Sequence, residues 1–141
     1  MGQRRLAREH ALQVLFQIDL AGGGTEQALS GFWVGREIPE KVRSFTERLV
    51  RGVLADREAI DARIAEAAQR WRIQRMPAVD RNILRVAVFE LLERDAPAAV
   101  VIDEAIEVAQ RFGGEGSGGF VHGVLDAIRG RIEREGRGVE V

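Results

Sequence analysis

The sequence predicts an all-α fold, a compact bundle of six to seven helices. Apolar residues recur along most of the chain at the spacing of amphipathic helices, and no convincing run shows the alternation of a strand. The one β-like stretch, Val100 to Ile102, continues directly into a helical pattern. With 141 residues, the chain is long enough to bury a core of its own as one domain.

Glycine and proline separate the predicted helices of the first half. The first helix covers about 4–20 and ends at the glycines 22–24. Thr25 is expected to cap the short helix that follows. A long helix is then expected over 39–69, because one apolar stripe continues through it, and Trp71 extends that stripe.

The second half predicts three further helices. The first begins at Pro77 and is apolar on most sides, which is typical of a helix in the middle of a bundle. The next ends at Phe112, which its apolar stripe places in the core. A glycine-rich segment, 113–119, predicts one long flexible loop, and the last helix is expected over about 119–134.

Charge and composition exclude several classes of protein. The formal net charge is −1, so the whole chain is not a general binder of polyanions. Lys41 is the only lysine among 21 basic residues, a bias that the base composition of the genome explains most simply. There is no cysteine, so disulfides and thiolate metal sites are excluded. No stretch approaches the roughly 20 apolar residues of a membrane span, and a cytoplasmic location is expected.

The first helix carries the pattern that points to RNA. A helical wheel places Arg5, Arg8 and Phe16 on the outward face, together with Glu9 and Leu12. Arginine beside an exposed aromatic ring suits single-stranded RNA, because the cation holds phosphate while the ring stacks on a base. The alternative is a solvated helix start, with Phe16 packed on a neighbouring helix.

Signals for catalysis are poor. His10 and His122 are far apart in the sequence and lack the spacing of metal ligands. The acidic residues Asp103, Glu104 and Glu107 are more typical of a solvated helix face than of a metal site. We therefore predict that the protein is not an enzyme and has no metal site.

Two other regions offer weaker signals. Phe112 and Phe120 lie on either side of the glycine-rich segment, where free backbone N–H groups at the start of a helix suit a phosphate. A mobile linker is the plain alternative. Asp80, Arg81 and Arg85 are interpreted as surface ion pairs, which stabilise little, or as part of a docking surface.

Four segments, in order along the chain, resemble the NusB family. They are 5–9 with 11–16, 79–91, Pro97 with 101–109, and 120–126. The likeness extends over about 4–132, so it covers nearly the whole chain. Each motif alone is weak, and the four together are specific.

This resemblance implies an all-α fold of two packed three-helix subdomains and a role in transcription antitermination and ribosomal RNA synthesis. NusB-like proteins bind the boxA element of nascent RNA together with NusE, which is also a small-subunit ribosomal protein. The pair then joins the elongating RNA polymerase. The resemblance implies no catalytic activity and no cofactor. We expect one NusB-like domain over 1–141, with frayed ends at 1–3 and 136–141.

The family's functional positions can be carried over residue by residue. RNA-binding side chains are expected at Arg4, Arg5, Arg8, Phe16, Phe112 and Phe120. Asp80 is the position linked to NusE docking. Three positions depart from the family pattern. Phe16 stands where the family often has tyrosine, Gly116 where it has a polar or acidic residue, and His122 where it often has asparagine. The run of arginines is also short, so we expect modest RNA affinity alone and a stronger need for NusE.

Two alternatives stay open. The first is a NusB-like domain of a ribosomal RNA cytosine methyltransferase, which the absence of a methyl-donor domain before Val141 disfavours. The second is a helical scaffold that acts by homodimerisation, since some NusB-like proteins dimerise and mask the RNA face.

Overall fold

The computed structural model describes the backbone of residues 2–69 and 72–140, and the side chains of 2–69 and 72–136. Its described residues form seven α-helices and one 3-10 turn, Ile73–Arg75, with no strand. The helices are α1 (Gly2–Ala21), α2 (Thr25–Trp33), α3 (Glu40–Ala55), α4 (Arg57–Ala68), α5 (Ala78–Glu93), α6 (Ala98–Phe112) and α7 (Ser117–Glu140). The predicted all-α bundle is confirmed.

The helices form two packed groups that share one core. Helices α1, α2 and α3 pack together, as do α5, α6 and α7, and α4 packs on α5 and α7. Helix α5 joins the groups, because α1 and α3 both pack against it. It is buried on most sides, as its apolar sequence predicts. The arrangement of two three-helix subdomains is confirmed, with α4 added to the second.

The long helix predicted over 39–69 is in fact two helices. The chain bends at Asp56, where the backbone takes φ −112° and ψ 23°. The bend breaks few hydrogen bonds, since the Asp56 N–H donates to the carbonyl of Gly52 and its own carbonyl accepts from Ile60. Buried positions of the predicted stripe continue through α3 and α4, which is why the sequence pattern gave no sign of the bend. Trp71 lies outside the described residues.

The predicted seven-residue loop is a four-residue turn. Helix α7 begins at Ser117, whose hydroxyl donates to the Asp80 carboxylate at 2.8 Å. Gly116, at φ 84°, makes the turn with the positive dihedral that favours glycine. A Cβ at Gly113 would lie 2.6 Å from the Ser117 side chain, so the turn is tightly closed. The prediction of a long flexible loop is wrong, because Gly118 and Gly119 belong to the helix.

The helix ends differ from the predictions only in detail. Gly24, and not Thr25, is the N-cap residue of α2, which no side chain caps. The fraying of the termini stays a prediction: Gly2 and Gln3 belong to α1, 136–140 to α7, and positions 1 and 141 lie outside the described residues. Among the residues that the structure describes, no helix combines the length and apolar character needed to cross a membrane.

Candidate nucleic-acid interface

Two of the three predicted aromatic rings line one surface depression. This Phe112 depression has a volume of about 200 Å³ and is lined by Glu9, Leu12, Gln13, Phe16, Val79 and Phe112. Phe112 is 44% exposed, and Phe16 is half-buried. Phe112 is therefore not a core residue, contrary to its place on the stripe, because α6 ends there and its ring stays largely open to solvent. An exposed ring at the rim of a depression suits stacking on a base.

The third ring lies in a neighbouring depression. This Phe120 depression has a volume of about 500 Å³ and is lined by Met76, Pro77, Asp80, Gly114, Glu115, Gly116, Ser117 and Phe120. Phe120 is half-buried and packs against the core. Both depressions border the first turn of α5, which contributes Val79 to one and Asp80 to the other. The three predicted aromatic residues thus fall on one region of the surface.

The outward orientation predicted for Arg8 is wrong. Arg8 is only 8% exposed, and its Nε and Nη2 donate to the two carboxylate oxygens of Glu90, each at 2.8 Å. Leu12 is buried as well. A helical wheel does not show this burial, because α1 packs on α2 and α3 with one side and on α5 with another, so two of its faces are covered. Burial alone would lower the pKa of Arg8, but the contact with Glu90 outweighs it and the pKa is raised.

Arg4 and Arg5 lie at the surface and are held by carboxylates of other elements. Arg5 binds Glu104 and Glu107 of α6. Arg4 pairs with Asp95, in the turn before α6, at 3.3 Å. Its guanidinium carbon also lies 4.6 Å from the ring centroid of Phe45, a cation–π contact that the sequence analysis missed. Neither arginine is a free cation.

Arg111 is a further candidate that the sequence analysis missed. Its exposed guanidinium lies 5.0 Å from the ring centroid of Phe112 and forms an ion pair with Glu9 of α1. The signal was present in the sequence, since a basic residue stands directly before an aromatic residue in the last turn of α6. Arg111 places positive charge beside the most exposed of the three predicted rings.

Contacts between α1 and α6 follow one line along the surface, which we call the α1–α6 seam. Arg5 meets Glu104 and Glu107, Glu9 meets Arg111, and Phe16 and Phe112 share a depression. The acidic residues of α6 are thus not merely a solvated face, because two of them bind Arg5. The seam brings basic, acidic and aromatic side chains of two helices together at the surface.

Asp80 is buried and shapes the Phe120 depression. It is 4% exposed and accepts the hydrogen bond from Ser117 that fixes the start of α7. The prediction that Arg81 and Arg85 form surface ion pairs with it is wrong. Arg81 binds Asp19, and Arg85 binds Asp19 and Asp61, in a largely buried network.

The two histidines lie apart, in different environments. His10 is buried against the rings of Phe32 and Trp33, and burial lowers its pKa. His122 is exposed and lies 3.1 Å from Asp126. Within the part of the chain that the structure describes, no group of three or more histidine and acidic side chains is placed to hold a metal ion.

Comparison with known proteins gives one consistent result. A family model described as the NusB family matches residues 5–129. A transcription antitermination protein NusB of Anaeromyxobacter dehalogenans is 49% identical over 137 residues, 96% of each chain. That of Sorangium cellulosum is 43% identical, over 96% of this chain and 99% of its own.

Solved structures agree in fold. T. maritima NusB is similar with a TM-score of 0.82 and 38% identity, over 89% of each chain. A structure of the antitermination factors NusB and NusE in complex with dsRNA is similar with a TM-score of 0.84 and 27% identity, over 93% of this chain and 98% of its own. The chain belongs to the NusB family.

Proposed function

We propose that this protein is a transcription antitermination factor that binds boxA RNA together with NusE. The observation that carries the proposal is the exposed ring of Phe112, with Arg111 beside it and Phe16 in the same depression. Its relatives are named for antitermination, and a similar solved structure contains NusB, NusE and RNA. Both facts support RNA binding together with NusE, and the choice of this surface rests on its exposed ring and its arginines.

Each group of the surface has a distinct task in this proposal. The ring of Phe112 stacks on an unpaired base, a contact that tolerates any base because every base has a π face. Phosphates are bound by Arg111, Arg4 and Arg5. Each of these arginines exchanges a protein carboxylate for a phosphate oxygen. Phe16 forms the floor of the depression, since it is only half-exposed. The buried Arg8 serves the surface indirectly, because it fixes α1 on α5.

The Phe120 depression supplies a second part of the proposed surface. Gly116 has no side chain and lies directly before the first turn of α7, so a phosphate can approach the backbone N–H groups there. We propose that NusE docks near this turn. Asp80 then supports this docking indirectly. Its buried carboxylate binds Ser117 and so fixes the turn that NusE would contact. The complex of the two proteins with RNA would join the elongating RNA polymerase to support ribosomal RNA transcription.

A binding measurement tests the proposal. Fluorescence anisotropy with labelled boxA RNA and with a scrambled RNA of equal length, each with and without NusE, should show preference for boxA. We expect the preference to be larger with NusE, because the arginines of the proposed surface are each paired with a carboxylate. No preference for boxA in either condition would contradict the proposal. Light scattering on the same samples reports whether a homodimer forms, and weaker RNA binding at dimer-forming concentrations would indicate that it masks the surface.

The same measurement on Phe112→Ala identifies the surface. Loss of one stacked base predicts about tenfold weaker binding, and Phe112→Trp should restore it. Val100→Ala is the matched control, since Val100 is also an exposed apolar residue of α6. Equal effects of the two alanine variants would show that Phe112 does not meet RNA.

A further inference from the structure

Arg5 is held by two carboxylates of α6 that bind it in unequal ways. Its Nε and Nη2 donate to the two carboxylate oxygens of Glu104, at 3.0 and 3.3 Å, so this contact has two points. Glu107 accepts a single hydrogen bond, from Nη2. The Glu104 side chain is 19% exposed and that of Glu107 is 51% exposed. Glu104 is therefore the fixed partner, and Glu107 is the one free to leave.

An arginine between two carboxylates offers little attraction to a polyanion. Hydrogen bonding to Glu104 raises the pKa of Arg5, and the negative charges of Glu104, Glu107 and Glu9 add to this. Arg5 is therefore always charged, and a phosphate competes with carboxylates and not with deprotonation. How strongly it binds Arg5 depends on whether one carboxylate can be displaced.

The geometry allows one carboxylate to be exchanged while the other stays. A guanidinium has five N–H donors, and Glu104 occupies only two of them. Departure of Glu107 leaves donors of Nη1 and Nη2 for a phosphate oxygen, with the side chain still oriented by Glu104. Because Glu107 is half in water already, its release needs little rearrangement.

The exchange at Arg5 lies close to the exposed ring of Phe112 along the α1–α6 seam. Glu107 and Arg111 lie four residues apart on one face of α6, about 6 Å along the axis at 1.5 Å per residue, and Arg111 lies beside the ring of Phe112. One short RNA segment can therefore reach both the ring and Arg5. A polyanion that meets only Arg5 must displace Glu107 without the gain from stacking, so the exchange favours RNA that places a base on Phe112.

We propose that Glu104 and Glu107 set the RNA affinity of this surface through Arg5. Glu104 is a positioning residue that orients the guanidinium, and Glu107 is a competitor that an RNA phosphate displaces. The inference rests on the proposed function, because it assumes that RNA binds along the α1–α6 seam. It predicts opposite effects for two glutamates that bind the same arginine from the same helix.

Two isosteric variants test it, with labelled boxA RNA, NusE and fixed salt in the anisotropy measurement. Glu107→Gln should bind about two- to fivefold more tightly, because an exposed competing ion pair is weakened. Glu104→Gln should bind about two- to fivefold less tightly, because a glutamine accepts at only one terminal atom and the two-point contact is lost. Glu133→Gln is the control, since it removes the same charge from an exposed pair with Arg129 on α7. Its affinity should stay near that of the parent protein.

The outcomes separate the inference from the proposed function. The gain of Glu107→Gln should vanish in an Arg5→Ala background, and a gain that persists there would overturn the inference. Equal tightening by both glutamine variants would also overturn it, because it would reflect only the loss of negative charge. Unchanged affinity of Glu107→Gln would overturn the inference as well. The proposed function would still stand in each of these cases, provided that the parent protein binds boxA RNA. Failure of the parent protein to bind boxA RNA with NusE would instead contradict the proposed function.

Discussion

Arg5 and Arg8 show how far burial decides the role of a residue. They lie three positions apart on α1. Arg5 binds Glu104 of α6, and Arg8 binds Glu90 of α5. Arg5 reaches solvent, whereas the pair of Arg8 with Glu90 is almost wholly buried. The sequence predicted one role for both, because a helical wheel gives the direction of a side chain but not which helices cover it.

This difference predicts opposite consequences of alanine substitution. Arg8→Ala should lower the free energy of unfolding by about 3 kcal/mol, because it leaves the Glu90 carboxylate buried without a partner. Arg5→Ala should change it by about 1 kcal/mol or less, since its pairs are only partly buried and Glu104 and Glu107 can reach water once the arginine is gone. Urea unfolding followed by circular dichroism measures both. Similar losses in the two variants would contradict the structure, and Arg8→Met combined with Glu90→Leu should recover stability.

Helix α3 packs tightly against α5 at Gly52. A Cβ at this position would lie 2.2 Å from Cε1 of Phe89, so only glycine fits beneath that ring. Gly52 also accepts the hydrogen bond from Asp56, at the bend that ends α3. A glycine inside a helix is unfavourable by itself, and here close packing compensates for it.

Gly52→Ala should therefore destabilise the protein although alanine is the better helix former. We expect a loss of about 1–3 kcal/mol in the free energy of unfolding, because the ring of Phe89 must move within a packed core. Gly123→Ala on α7 is the matched control, since nothing lies within 4 Å of its Cβ position. It should instead stabilise by up to about 1 kcal/mol. Thermal unfolding of the two variants checks both signs, and a gain for Gly52→Ala would refute the close approach.

Most elements could be predicted from the sequence, because prolines and glycines mark the helix ends. The bend at Asp56 could not, since neither glycine nor proline stands there and the apolar stripe continues. The turn before α7 was predicted too long, because Gly118 and Gly119 are typical of loops and only the contact of Ser117 with Asp80 starts the helix earlier. The positions of the candidate aromatic residues were found by resemblance, but their exposure depends on helices distant in sequence.

The two helical groups of the molecule are tied together by a network of charges around Asp19. This carboxylate of α1 accepts hydrogen bonds from Arg81, Asn82 and Arg85 of α5, and Arg85 also binds Asp61 of α4. Burial alone would raise the pKa of Asp19, but the hydrogen bonds of Asn82 and Arg81 and the charge of Arg85 outweigh it, so the pKa is lowered. The network holds α1, α4 and α5 in one arrangement.

The lowered pKa predicts how stability depends on acid. The folded state binds a proton at Asp19 less readily than the unfolded state, whose aspartates titrate near about 3.9. The contribution of Asp19 is thus fully present above that pH and is lost as the pH falls through the lower pKa of the folded state. Urea unfolding between neutral pH and about pH 2.5 should show this loss. Asp19→Asn should be less stable at neutral pH and should lose less on acidification; an equally steep loss would refute the assignment.

The pairing of every predicted RNA-binding arginine with a carboxylate has a consequence for the kinetics of association. With a net charge of −1, the protein has little long-range field to draw RNA toward it. Encounter should then proceed at about 10⁵–10⁶ M⁻¹s⁻¹, without electrostatic acceleration. On the proposed function, RNA in general should bind weakly, because a random encounter brings phosphate without a stacked base. Long-range attraction of RNA would, on the same proposal, have to come from NusE, and this chain would act mainly on how slowly the RNA dissociates.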